Sequence, residues 1–116
     1  MRSVEDLIVY QKAMVMVTKV YAITKQFPKE ERFGLVNQLR RAAVSVPSNI
    51  AEGAGRNSNN EFRRFLSIAR GSTYEVKTQL QISQNLSFAS KDELFGFLEL
   101  LTEIEKITFK LIQHKK

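Results

Sequence analysis

Four stretches of this sequence carry an apolar residue every three or four positions, and no run alternates apolar with polar as a strand would. The first reads Leu7, Tyr10, Met14, Val17, Tyr21, Thr24. The second reads Val36, Leu39, Ala43, Val46, Ile50, Ala54. The third is Phe62, Leu66, Ala69, Thr73, Val76, Leu80, and the fourth Leu94, Leu98, Leu101, Ile104, Thr108, Leu111. Such rows are the buried stripes of amphipathic helices. Their starts are marked too. Ser3 with Asp6, Ser58 with Glu61 and Ser90 with Glu93 form Ser-x-x-acid boxes, each followed at once by an apolar residue. A fourth start is expected at Pro28, with Glu30 and Glu31 behind it. The helices should run to about 23–30 residues each, roughly 35–45 Å at 1.5 Å per residue. Short links then predict an all-α fold, an antiparallel up-down-up-down four-helix bundle, with residues 1–116 as one domain.

Two helices hold surplus apolar residues. Helix one has a second row, Val9, Ala13, Met16, Val20, and helix four adds Phe97, Leu100 and Ile107. Either these rows widen the core of a small bundle, or they bury against another subunit. On the second reading Met16 and Val20 are interface residues. Glycines at 53 and 55 read as a helix end using φ > 0.

Helix two carries Pro47 in its middle. Proline lacks an amide hydrogen and its ring crowds the carbonyl of Ala43. The helix could stop near Ser45 and restart at Asn49, but the remnant would be too short to stand alone. The apolar row keeps one phase through the proline, so a continuous helix kinked at Pro47 is expected. On its other side lie Gln38, Arg41, Ser45, Asn49, Glu52 and Arg56. Glu52 and Arg56 have the favoured i,i+4 order for an ion pair. Small Ser and Asn side chains here would let another helix or another molecule approach closely.

The charge is +6, and its placement matters more than its size. Residues 32–77 hold eight bases and three acids, net +5, while residues 78–116 balance five against five. On helix three, Arg63, Ser67, Arg70, Tyr74, Lys77 and Gln81 form one row beside the apolar seam, with an aromatic able to stack on a base. Arg40, Arg41, Arg56 and Arg64 lie nearby in sequence. This predicts nucleic-acid contact through helices two and three; the alternative is a scaffold offering the same basic face to an acidic partner protein.

Chemistry is conspicuous by what is missing. No cysteine is present, and the one histidine, His114, sits near the chain end. Glu-x-x-His pairs for a di-iron bundle are absent, and no strand precedes the glycines for a phosphate loop. No catalytic residue, metal site or cofactor is therefore expected. The longest apolar run, Ala13 to Val17, is far too short to span a bilayer. A cytoplasmic protein without membrane contact is the expectation.

The segments QLRRAAVSVPSNIAEGAGR and EFRRFLSIARGSTYEVKTQL, with VYQKAMVMVTKVYAITKQFPKEERFGL before them, resemble the four-helix-bundle proteins encoded by intervening sequences of bacterial large-subunit ribosomal RNA genes, often labelled ribosomal proteins. The fold of that family is similar to the accessory proteins of diversity-generating retroelements. The resemblance implies an antiparallel bundle that assembles as a homo-oligomeric ring, a homopentamer, and no established activity. It implies structural roles for Arg41, Pro47, Asn49, Glu52, Gly53, Arg56, Glu61 and Phe62. The partners that follow are the protein itself, nucleic acid such as ribosomal RNA, and an acidic or RNA-processing protein.

Overall fold

Apolar faces of the helices pack against one another, and the result is four helices around one core. The computed structural model describes residue 4 and residues 7–114. Within them α1 spans Ile8–Thr24, α2 Leu35–Ala54, α3 Asn59–Asn85 and α4 Lys91–His114, with a short 3-10 turn over Lys29–Glu31. No strand occurs among the described residues. Helices α2 and α4 each pack against both α1 and α3. The 27 residues of α3 give about 40 Å at 1.5 Å per residue, close to the longest dimension of 43 Å.

The rows of α2 and α3 are buried at every expected position, from Val36 to Ala54 and from Phe62 to Leu80. In α4, Leu94, Leu101, Ile104 and Thr108 are buried and Phe97 joins them. Helix α1 departs from expectation. Its core row is Val9, Ala13, Met16, Val20 and Thr24. Met16 and Val20 lie fully inside the single chain, as a widened core requires and a subunit interface does not, whereas Met14 and Tyr21 are exposed. A buried tyrosine hydroxyl needs a partner; Tyr21 stays outside and its ring receives Arg40 instead, 4.5 Å from centroid to guanidinium carbon.

Helix starts differ in how the sequence signals are used. The Ser90 box closes both ways: the Ser90 amide donates to Glu93 Oε1 (2.8 Å) and the Glu93 amide to Ser90 Oγ (3.1 Å). That hydrogen bond from the Ser90 amide holds the Glu93 carboxyl below its ordinary value. At Ser58 one arm forms, the Glu61 amide donating to Ser58 Oγ (3.1 Å). The Ser3–Asp6 box lies outside the described residues. The start expected at Pro28 is only the 3-10 turn. Helix α2 begins at Leu35, whose amide donates to the Glu31 carboxylate (3.1 Å). So α1 and α2, at 17 and 20 residues, are shorter than expected.

Helix α2 is continuous through Pro47, which is buried. Two residues on, the Asn49 side chain donates through Nδ2 to the Ser45 carbonyl (2.8 Å) and to Ser45 Oγ (2.9 Å). Neither glycine of the 53–55 segment has φ > 0, contrary to expectation. Gly53 is instead a point of close approach: a Cβ there would lie 2.7 Å from Phe65 Cβ and 3.1 Å from Phe62 Cδ1. Among the described residues the left-handed one is Ser87 (φ 64°), which ends α3. There the Phe88 amide bonds back to the Ser83 carbonyl (2.8 Å), a Schellman closure. No helix among the described residues is long and apolar enough to cross a membrane.

Candidate nucleic-acid interface

The eight residues expected to contact nucleic acid differ in the partners they meet within the chain. Three groups result, each set by what its helix packs against. The first joins α1 to α2. Arg40 Nε donates to Thr24 Oγ1 (2.9 Å), and the guanidinium lies over Tyr21. Arg40 thus ties the end of α1 to α2. Arg41, one residue on, is exposed and makes no ion pair among the described residues.

The second group sits where α2 ends and α3 begins. Arg56 pairs with Glu52 (3.1 Å) and reaches toward Glu61 (4.0 Å). Arg64 pairs with Glu61 (3.1 Å). Both guanidinium groups lie over the Phe65 ring, at 5.1 and 4.5 Å. Hydrogen bonding from Arg64 is the main reason the Glu61 carboxyl sits below its ordinary value. Phe62 is buried beneath. Here the bases are matched by acids, so the group is largely self-neutralised.

The third group is the row on α3, and it faces α4. Arg63 donates to Asn60 (3.1 Å) and has no acidic partner among the described residues. Arg70 is half-buried; its guanidinium carbon lies 5.2 Å from the Tyr74 centroid and 5.1 Å from that of Phe109 on α4. Its Nη2 donates to the Tyr74 hydroxyl (3.2 Å). Lys77 lies 3.6 Å from Glu105 of α4, so this base is offset by a carboxylate that sequence position alone leaves far away.

Between α3 and α4 the row opens into a groove of about 310 Å³, lined by Arg70 and Tyr74 on one side and Glu105, Lys106, Phe109 and Lys110 on the other. The α4 residues were missed at sequence level because their segment is neutral overall. The signal was the i, i+3, i+4 spacing of Lys106, Phe109 and Lys110, which puts two bases and an aromatic on one helix face.

The small polar face of α2 has its own explanation. Ser45 Oγ lies 2.9 Å from Ser72 Oγ of α3, and Gln79 of α3 donates to Gln38 (3.4 Å). The element that approaches closely is therefore α3 itself. Ser45 and Gly53 serve the packing of α2 on α3, Asn49 bonds back to Ser45, and Glu52 serves its ion pair.

The family model of the 23S rRNA-intervening sequence protein matches residues 5–110. No curated protein matches the chain. Among solved structures, the chain is similar to a protein with unknown function from the S23 ribosomal protein family of Bacteroides thetaiotaomicron. The TM-score is 0.84 at 22% identity, over 90% of this chain and 98% of that one. At that identity the likeness speaks for the fold alone.

Proposed function

This chain belongs to the 23S rRNA-intervening sequence protein family, and we propose that it is a non-catalytic accessory protein that binds nucleic acid, structured RNA above all. The observation that carries the reading is the α3–α4 face. Arg63 and Arg70 make no ion pair among the described residues, Tyr74 is exposed between Arg70 and Lys77, and Lys106 and Lys110 add charge from α4. Bases without acidic partners remain free to meet phosphates, and an open ring can stack on an unpaired base. Arg40, Arg56 and Arg64 are committed to contacts within the chain and contribute less.

The same reading includes an antiparallel up-down-up-down bundle, a bend of α2 at Pro47, a cytoplasmic location and assembly into a homo-oligomeric ring, with five subunits from the family resemblance. Because Met16 and Val20 are buried, the outward apolar residues of α1, Ile8, Met14 and Val15, take their place as the ring surface. A ring would multiply weak contacts along one RNA. Light scattering tests assembly: a monomer mass at micromolar concentration opposes it.

Gel-shift titration at two salt concentrations tests the binding. Arg63, Lys106 and Lys110 are the residues to replace together with Ala. Lys77 is spared, since its loss would leave Glu105 without its partner. Three fewer phosphate contacts should flatten the log–log salt slope by about 2 per subunit on single strands. Absence of a shift at low salt would turn the reading to a scaffold for an acidic protein.

A further inference from the structure

Arg40 carries a positive charge that the fold fixes in place but does not offset. The residue is half-buried between α1 and α2. Its Nε donates to the Thr24 hydroxyl (2.9 Å), its Nη2 reaches the Tyr21 carbonyl (3.4 Å), and the Tyr21 ring lies beneath it. All three partners are uncharged, and Arg40 forms no ion pair among the described residues. Arg56, Arg64 and Lys77, by contrast, each meet a glutamate. A guanidinium does not escape by losing its proton, and a partly buried charge without a counter-ion is costly.

A second guanidinium joins it. Arg40 and Arg41 both line a hollow of about 570 Å³ between α1 and α2, together with Tyr21, Asn37, Val44 and Ser45. Arg41 and Asn37 are exposed, and their side chains form no hydrogen bond or ion pair among the described residues. No acid lines the hollow. The α3–α4 groove differs on this point, since Glu105 stands in its wall. The hollow thus gathers two positive charges and an amide donor, and Thr24 and Tyr21 have already ordered one of the two arginines, which lowers the cost of binding.

We infer that this hollow binds a phosphate monoester. Charge and oxygen count select the ligand. A monoester carries about 1.5–2 negative charges at neutral pH and three acceptor oxygens. Two guanidinium groups match that charge, and the planar fork of each meets phosphate oxygens in pairs. A carboxylate brings one charge and two oxygens, and so satisfies one arginine. A phosphodiester inside a strand also brings one charge. The hollow therefore differs in kind from the strand contacts proposed for α3 and α4, and it does not rest on them. Its volume lies within the range for small-molecule sites, and Val44, 40% exposed at its edge, is left to touch whatever carries the phosphate. That carrier is a small phosphorylated molecule or the phosphorylated end of a strand.

Chemical-shift titration of the isotope-labelled full chain at constant ionic strength tests this. Methyl phosphate should shift the amides of Asn37, Arg40 and Arg41 to saturation. Dimethyl phosphate and acetate, each with one charge, should bind about tenfold more weakly or worse. Arg41→Ala should weaken methyl phosphate about tenfold and leave the unfolding midpoint unchanged, because Arg41 ties no element to another. It is the deciding variant, since Arg40→Ala would also loosen α1 from α2. The variant with Arg63, Lys106 and Lys110 replaced by Ala should bind methyl phosphate as the parent does, so the strand reading and this site fail separately. Oligouridines with and without a terminal phosphate monoester identify the carrier. A preference for the phosphorylated strand that Arg41→Ala abolishes assigns a strand end. Equal binding of the two strands, beside selective binding of methyl phosphate, assigns a free small molecule. Equal affinity for methyl and dimethyl phosphate overturns the proposal. So does the absence of saturable shifts, or a methyl phosphate affinity that Arg41→Ala leaves unchanged.

Discussion

Helix α3 meets α2 on one side and α4 on another, and the two contacts are built from residues of different size. Toward α2 the meeting residues are small: Gly53 sits under Phe62 and Phe65, Ser45 bonds Ser72, and Ala43 and Ala69 are buried. Backbones come close at Gly53, and the Ser45 and Ser72 hydroxyls are used within the fold. Toward α4, the long side chains Arg70, Tyr74, Phe109 and Lys106 line an open groove. The seam spends its polar groups on itself, while the groove keeps charge and ring faces open. Small residues at a helix contact thus make structure, and large ones leave room for a ligand.

Phenylalanine on the two sides gives the sharpest way to break that contrast. Phe65→Ala, at a ring 9% exposed near the seam, should cost about 3 kcal/mol in urea unfolding. It also removes the surface on which Arg56 and Arg64 lie. Gly53→Ala comes next. Its new Cβ meets Phe65 Cβ, an atom bonded directly to the backbone that no side-chain rotation moves, and overpacking of this kind should cost about 2 kcal/mol. That outweighs the helix propensity alanine brings, so a more stable Gly53→Ala would refute the close-approach reading. Phe109→Ala, the counterpart in the groove, should change stability by no more than about 0.5 kcal/mol; a loss comparable to Phe65→Ala would mean the groove is core.

The smallest effect concerns acid. Glu61 and Glu93 are both held below the ordinary value of 4.5, chiefly by Arg64 and by the Ser90 amide. In the unfolded chain they bind protons more readily than in the folded one. Their contribution is therefore present above the unfolded value and is lost as pH falls through the lower folded values. Glu61→Gln and Glu93→Gln should each flatten the fall in unfolding midpoint below about pH 4.5, modestly, since both groups are exposed to solvent. A steeper fall in either variant would reverse the sign argued here.

Much of the fold was legible because periodicity and caps are local signals. The rows of α2 and α3 were read residue for residue, and the Ser58 and Ser90 boxes mark true starts. The continuity of α2 through Pro47 was legible from the phase of its apolar row. Pro28 misled because proline suits a 3-10 turn as well as the first turn of a helix, and the distinction lay in Glu31 capping Leu35. The site was legible only in part. The bases of α3 were visible in sequence, but their partners were not, since Glu105 and Phe109 stand far along the chain.

What the sequence by itself determined is the number of helices, most of their buried faces and the central excess of positive charge, because each depends on spacing within one segment. Only the tertiary structure decided which of the two apolar rows of α1 faces inward. Both rows have the right period, and the choice fell to the shape of the space between α2 and α4, which admits Ala13 and Met16 and leaves Tyr21 outside under Arg40. It also decided which bases are free. Arg40 and Lys77 look alike in sequence to Arg41 and Arg63, yet the first two meet Thr24 and Glu105. The availability of a charge depends on what packing brings within a few ångströms of it, and no spacing along a single helix contains that distance.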